Sequence, residues 1–308
     1  MSIGLCCQYL KSKEKRNGII EYFNAMEEKN LQFGRFNEGK YSEEQIIQTW
    51  MSNLDNLSMT LNEVIKEGFK VFRLSSNLFP LYDLVSHLLI NNNLINNKLK
   101  MIGKKLKESN VRVTCHPDQF CVISSKTNDI IGKSIKILEH HAWIFDSMEL
   151  EQSPFYAINI HGGTRDQLTT LIDSIKKLPE NVKNRLTLEN DELCYNVNDL
   201  YQCFEETGVP ICFDSHHHVF NDGGMSIDEG LEKSMKTWQV KALTHLSNTD
   251  PLLKEGSFKD RRKHSDYVHY IPELQRKLNN EEKLDIEFEF KMKNLAIHKA
   301  VKDFNITL

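Results

Sequence analysis

Six short apolar runs in this chain each stop at a residue that can hold a metal ion: His116, His161, Glu189, Asp214, His245 and Glu289. The plainest is residues 209–213, a buried-strand pattern that closes on Asp214 and is followed by His216, His217 and His218. Imidazoles and carboxylates without a thiolate suit borderline divalent ions such as Mn²⁺, Zn²⁺ or Fe²⁺. Two or three such ions, held ~3.5–4 Å apart by bridging carboxylates, would clamp an in-line phosphoryl displacement. A single histidine at a strand end is ordinarily structural. Six such endings gathered on one rim have no such explanation.

The elements that must gather them follow from periodicity. Strands are expected over residues 2–7, 69–74, 111–115, 156–160, 185–188, 209–213, 240–244 and 284–288. Helical patterns fall between them, over 42–67, 82–109 (interrupted by asparagines), 128–150, 165–178, 198–207, 226–238 and 271–280, with a last helix to about 303. Ser42-Glu-Glu-Gln45 is a helix-start signal, and Gly68 and Gly208 are stops. Eight strands alternating with helices predict an α/β fold, a single (β/α)8 TIM barrel over residues 1–308. Strand ends converge on one face of such a barrel. Alternation turns Thr187 and Cys212 inward with Glu189 and Asp214, and turns Leu188 and Phe213 toward the helices. Residues 11–16, KSKEKR, are expected to be a solvated basic loop.

Composition bounds the rest. The chain has 308 residues, 40% apolar and 27% charged, enough for one large core with a well-solvated surface. A net charge of −4 gives no global argument for a polyanion partner, so any nucleic acid must meet local basic clusters. Seven cysteines at irregular spacing indicate neither a disulfide framework nor a zinc ribbon. No apolar run approaches the ~18 residues of a membrane span, and no signal-peptide pattern opens the chain. A cytoplasmic, reducing compartment is therefore expected, with no membrane and no obligate protein partner.

The motifs Ser75-Ser76, His116-Pro-Asp-Gln-Phe120, Asn159-Ile-His-Gly-Gly163, Leu186-Thr-Leu-Glu-Asn-Asp191, Phe213-Asp-x-His-His217, His245-Leu-Ser247 and His264-Ser-Asp-Tyr267 run in order along the chain. Together they resemble the UV damage endonuclease family. The resemblance implies a TIM barrel related to endonuclease IV-type AP endonucleases, which cuts damaged double-stranded DNA immediately 5′ to UV photoproducts and some other lesions. It implies a cluster of two or three divalent ions, manganese first and zinc or magnesium as alternatives. Carried over by motif, His116, His161 and Glu189 would hold one ion. Glu189 would bridge to a second, held also by Asp214, His245 and Glu289, with Glu189, Asp214 and His245 at the heart of catalysis. A third would use His217 and His264. Gln119 and Phe120 match the pair the family inserts at the lesion.

Two departures stand out. Where the family places a carboxylated lysine, two residues before the seventh strand's histidine, this chain has Leu243, which coordinates nothing. Lys241 keeps inward parity one step deeper, where it is expected to pair with Glu287 unless a bulge lifts it. The family's histidine after the Pro-Leu of the second loop is also missing; Tyr82-Asp83 follow Pro80-Leu81, and His87 comes too late. Gln8, Arg261, Arg262 and Lys263 are further candidates for DNA contact. Lys98, Lys100, Lys104, Lys105 and Lys107 are expected on a solvent-facing helix surface, and Gly162-Gly163 either lets a phosphate approach the backbone or forms a structural turn. Two other readings compete with the endonuclease: a xylose-isomerase-like sugar isomerase or epimerase, and a barrel that binds damaged DNA without cutting it.

Overall fold

The computed structural model describes residues 1–15, 17–118 and 120–308. Eight parallel strands close a barrel: β1 Ile3–Cys6, β4 Val71–Leu74, β5 Arg112–Cys115, β6 Ile158–Ile160, β7 Leu186–Glu189, β8 Ile211–Asp214, β9 Ala242–Leu246 and β10 Leu284–Phe288. Around the barrel the order is β1-β10-β9-β8-β7-β6-β5-β4. Every residue of these strands is buried, as expected where helices cover the outside and side chains fill the inside. The expected TIM barrel is the fold observed; β10 has the expected bounds, β7, β8 and β9 are shifted one or two residues toward their carboxyl ends, and the other strands are trimmed.

The helices obey the local signals. Glu43–Lys66 starts at a capping box between Ser42 and Gln45 and buries Ile46, Trp50, Leu54, Leu57, Leu61 and Val64 along one stripe. The asparagine-rich stretch does break its helix. Ser86–Ile90 stops, and Asn92 caps Asn93–Glu108 by accepting from the amides of Leu94 and Ile95. Gly208 ends Val197–Thr207 at φ 74°, the left-handed stop that favours glycine. Lys98 and Lys100 pair with Asp55 and Glu149 across helix surfaces, as a solvated lysine face should. No helix among the described residues is long and apolar enough to cross a membrane.

One expectation fails outright. The basic stretch expected as a loop forms an antiparallel hairpin, β2 Leu10–Glu14 with β3 Ile20–Asn24, rising from the end of β1. Both faces of the ribbon stand largely in solvent, so no period-2 apolar pattern marks it. Its one sequence signal is Asn17-Gly18, a turn pair with Gly18 at φ 77°. Arg16, the end of that stretch, lies outside the described residues.

Inside the barrel, Val71, Ala157, Cys212 and Leu243 form a separate apolar layer. Arg112 plugs the N-terminal mouth. Its guanidinium donates to the carbonyls of Pro154, Phe155, Lys241 and Ala242 and pairs with Asp285 at 3.0 Å. Lys241 also pairs with Asp285, at 2.7 Å. Its expected pairing with Glu287 is therefore not made, because Lys241 sits at the mouth and Glu287 has a different cation beside it. Removing Arg112 would leave four carbonyls without its N–H groups and Asp285 with Lys241 as its one remaining cation among the described residues. Arg112→Ala is expected to cost about 3–5 kcal/mol of stability, the usual penalty for breaking a buried pair, and urea denaturation measures it.

Candidate metal centre

Register brings the strand-end ligands together. Asp214 on β8 pairs with His245 on β9, and His245 pairs with Glu287 on β10. Glu189 pairs with Cys212, one pleat below Asp214. Two of the expected ligand sets assemble, each with its donor atoms within 4.8 Å of one another: His116, His161 and Glu189, and Glu189, Asp214, His245 and Glu289. Glu189 belongs to both. Its Oε2 lies 3.1 Å from His116 Nε2, and its Oε1 lies 3.0 Å from His245 Nδ1.

The first-rank side chains are themselves held. Asn159 donates to Glu189 Oε2 and accepts from Thr187, so the glutamate cannot swing. His245 turns Nδ1 toward Glu189 and Glu289, 3.0 Å from each, and Nε2 toward Glu287 at 3.2 Å. Glu287 in turn accepts from Thr114 and from Arg73 Nε at 2.7 Å. Such a carboxylate behind a ligating imidazole fixes the ring and raises its basicity. Asp214 uses one oxygen to cap the turn Ser215–His218, accepting from the amides of His216 at 2.6 Å and His217 at 2.8 Å. Its other oxygen, Oδ2, is buried with no hydrogen-bond partner. An orphaned carboxylate oxygen aimed at three other ligands fits a cation.

Charge explains the titration behaviour. Burial resists ionisation of Glu189, yet His245, His161 and His116 hold it well below the usual carboxylate range. Burial resists Glu287 as well, and Arg73 and His245 bring it to about 2. Burial lowers His161 to about 4, leaving a neutral imidazole suited to ligation. His217 goes the other way: burial opposes its charge, but Asp214, Glu192 and Glu189 push it up to about 10.

Arg73 is the residue that the strand-end pattern does not reveal. It pairs with Glu287 and Glu289 and lies 2.8 Å from His245 Nε2. Its signal is an arginine at an inward position of an otherwise apolar strand, which demands a buried counter-charge. Cys6, Glu287 and Glu289 also gather their donor atoms, but the guanidinium already sits on both carboxylates. Glu192 is a second addition: it lies 3.1 Å from His217 Nδ1 and pairs with Arg262.

The remaining candidates separate. His217 Nε2 lies 3.6 Å from Glu189, and His264 Nδ1 lies 3.7 Å from Glu289, but their rings are 6.3 Å apart and neither joins an assembled ligand set among the described residues. Leu243 is buried in the apolar layer and offers nothing to a third ion. Phe120 is 72% exposed on the loop after β5, so it is not a core aromatic. Gln119 lies outside the described residues. Gln8 is exposed just after β1, Arg261 is exposed, Arg262 is half-buried on Glu192, and Lys263 pairs with Asp260. A cavity of about 320 Å³ opens at this rim, lined by His116, His161, Asp191, Glu192, His217 and Arg262 among others. Where the family histidine is missing, Tyr82 stacks on His140 with ring centroids 3.4 Å apart.

A (β/α)8 barrel with a histidine–carboxylate cluster at the carboxyl ends of its strands is the class that this fold and site define. The family described as UV-endonuclease UvdE matches residues 19–307. The chain is 36% identical to the UV DNA damage endonuclease of Nostoc sp. over 83% of its own length and 78% of that protein's. The crystal structure of SacUVDE superposes with a TM-score of 0.78 at 28% identity, covering 99% of both chains. Endonuclease IV from Thermus thermophilus shares the fold at TM-score 0.55 and 12% identity, over 80% of this chain and 93% of that one. The chain belongs to the UV-endonuclease UvdE family, a family of DNA repair endonucleases.

The orphaned Asp214 oxygen gives a direct test of cation binding. Adding Mn²⁺ to chelator-treated protein is expected to raise the melting temperature, as any ligand of the native state does. Asp214→Asn should lose most of that rise, and differential scanning calorimetry with and without metal reads both.

Proposed function

We propose that this chain hydrolyses the phosphodiester backbone of double-stranded DNA immediately 5′ to UV photoproducts, and to related lesions such as abasic sites, using two divalent ions, manganese first. The observation that carries the reading is Glu189, whose two carboxylate oxygens face two different ligand sets at 3.1 and 3.0 Å. His116 and His161 complete one set, and Asp214, His245 and Glu289 the other. Ions bound there supply Lewis acidity and a nucleophile at neutral pH.

The chain's own residues do the rest. Asn159 and Thr187 keep Glu189 in its bridging pose. Glu287 holds the His245 ring, and Arg73 offsets the carboxylate charge that the ions leave over. Phe120 offers an exposed ring beside the site, able to stack where bases leave the helix. Two ions rather than three is the preferred count, since the position beneath His245 is the buried Leu243.

Supercoiled plasmid, irradiated or not, separates the readings. Nicking is expected only for irradiated DNA with Mn²⁺ present, with the cut mapping 5′ to the lesion. Glu189→Gln should bring nicking to background while far-UV circular dichroism stays unchanged; a variant that still nicks sinks the bridging role. Irradiated DNA that is bound and left intact by wild-type protein would favour the binding-only barrel.

A further inference from the structure

Two apolar side chains near the catalytic rim stand almost free in solvent: Phe120, 72% exposed, and Leu252, 91% exposed. Phe120 follows β5 and Leu252 follows β9. Those strands are four steps apart in either direction around the barrel, so the two loops face each other across the metal centre. A single exposed leucine ordinarily needs no explanation. What sets this one apart is the frame built under it.

Asp250 accepts from the Leu252 amide with its side chain at 2.9 Å and from the Leu253 amide with its carbonyl at 2.8 Å. Pro251 restricts the same turn, Pro251–Leu253. Thr249 donates to the Arg261 carbonyl at 2.6 Å and bridges to His264, closing the base of the loop. Ser257 caps the short helix Phe258–Arg261 on its far side. The loop thus holds Leu252 out rather than letting it fold back. Lys254, Lys259 and Arg261 are exposed around it, and none has a carboxylate partner among the described residues. The loop's foot reaches the metal centre, through Arg262 on Glu192 and through His264 at 3.7 Å from Glu289.

We infer that loop 249–263 is a second wedge, with Leu252 entering the base stack from the side opposite Phe120 while Lys254, Lys259 and Arg261 meet phosphates. Leucine cannot read a base edge by hydrogen bonding. Its contribution is to unstack a step and prop a kink, the way apolar side chains bend duplexes. The three unpaired cations supply the attraction that an acidic protein otherwise lacks. This inference rests on the DNA reading above.

The test measures binding, with Mn²⁺ present, to a duplex with one abasic-site analogue, 2-aminopurine on the facing strand and a methylphosphonate linkage 5′ to the lesion so that no cutting occurs. Leu252→Ala is expected to weaken binding of the lesion duplex about tenfold, the scale of one apolar side chain no longer buried on binding. It should also lose the 2-aminopurine fluorescence rise, and Leu252→Met should restore both. Melting temperature stays put in either variant, because Leu252 buries almost nothing. Lys254→Ala with Lys259→Ala is expected to weaken lesion and intact duplexes alike and to flatten the salt dependence. Unchanged affinity and fluorescence in Leu252→Ala overturns the wedge, even where wild-type protein nicks irradiated plasmid. A shift in oligomeric state with unchanged DNA affinity assigns the loop to self-association and overturns it too. Wild-type protein that binds no duplex overturns the wedge together with the functional reading, whereas binding without nicking leaves Leu252 to be judged on affinity alone.

Discussion

Four carboxylates share the upper interior of one barrel, and the only fixed positive charge among them, within the described residues, is Arg73. Glu189, Asp214 and Glu287 are fully buried, and Glu289 nearly so. Burying one unpaired carboxylate is already expensive, and the excess here is three. Burial opposes a charge on His217 and on His245, yet the pKa of each imidazole is raised, that of His217 by Asp214, Glu192 and Glu189 and that of His245 by Cys212, Glu189 and Glu289, so protons there would offset part of the excess in the bare chain. Divalent cations would relieve the same excess by replacing those protons, so metal binding, proton release and stability are one linked equilibrium. Most of the hydrogen bonding described above exists to hold this excess in place. Asn159 spends its side chain on Glu189, Thr187 on Asn159, Thr114 on Glu287 and Glu192 on His217, so each serves the rim rather than the fold.

The barrel tolerates that concentration because it separates its functions by depth. At the N-terminal mouth Arg112, Lys241 and Asp285 form a closed ion cluster that meets no ligand. The apolar layer of Val71, Ala157, Cys212 and Leu243 forms a packed cluster of its own in the interior. The rim carries the unsatisfied groups of the ligand cluster. The orphaned oxygen of Asp214 and the exposed Phe120 both belong to it, as active sites at the carboxyl ends of barrel strands do.

Much of this was legible in the sequence, for a specific reason. A strand that ends on a ligand needs only its period and its stop to be recognised, so His116, His161, Glu189, Asp214, His245 and Glu289 were all accessible. Parity also placed Thr187 and Cys212 inside. What period cannot give is depth. Lys241 and Glu287 share inward parity, yet the stagger of the strands puts Lys241 beside Asp285 and leaves Glu287 to Arg73. Arg73 itself lies inside an apolar run, and its partners sit on β9 and β10, more than 170 residues away in the chain. The hairpin β2–β3 failed for the opposite reason: both its faces meet water, so no burial pattern existed to read.

Arg73 also bears on how many ions the proposed centre would take. Cys6, Glu287 and Glu289 lie close enough to form a ligand set, and without the arginine they would compete with the designed pair for metal. A guanidinium stays protonated at any ordinary pH and cannot be chelated away. It therefore fills with permanent charge a place where an exchangeable ion would otherwise fit. On the other side of His245, Leu243 removes the position at which the family resemblance expects a further ligand. One charged residue and one apolar residue, both one pleat below the rim, would thus leave the proposed centre the two sets that Glu189 joins.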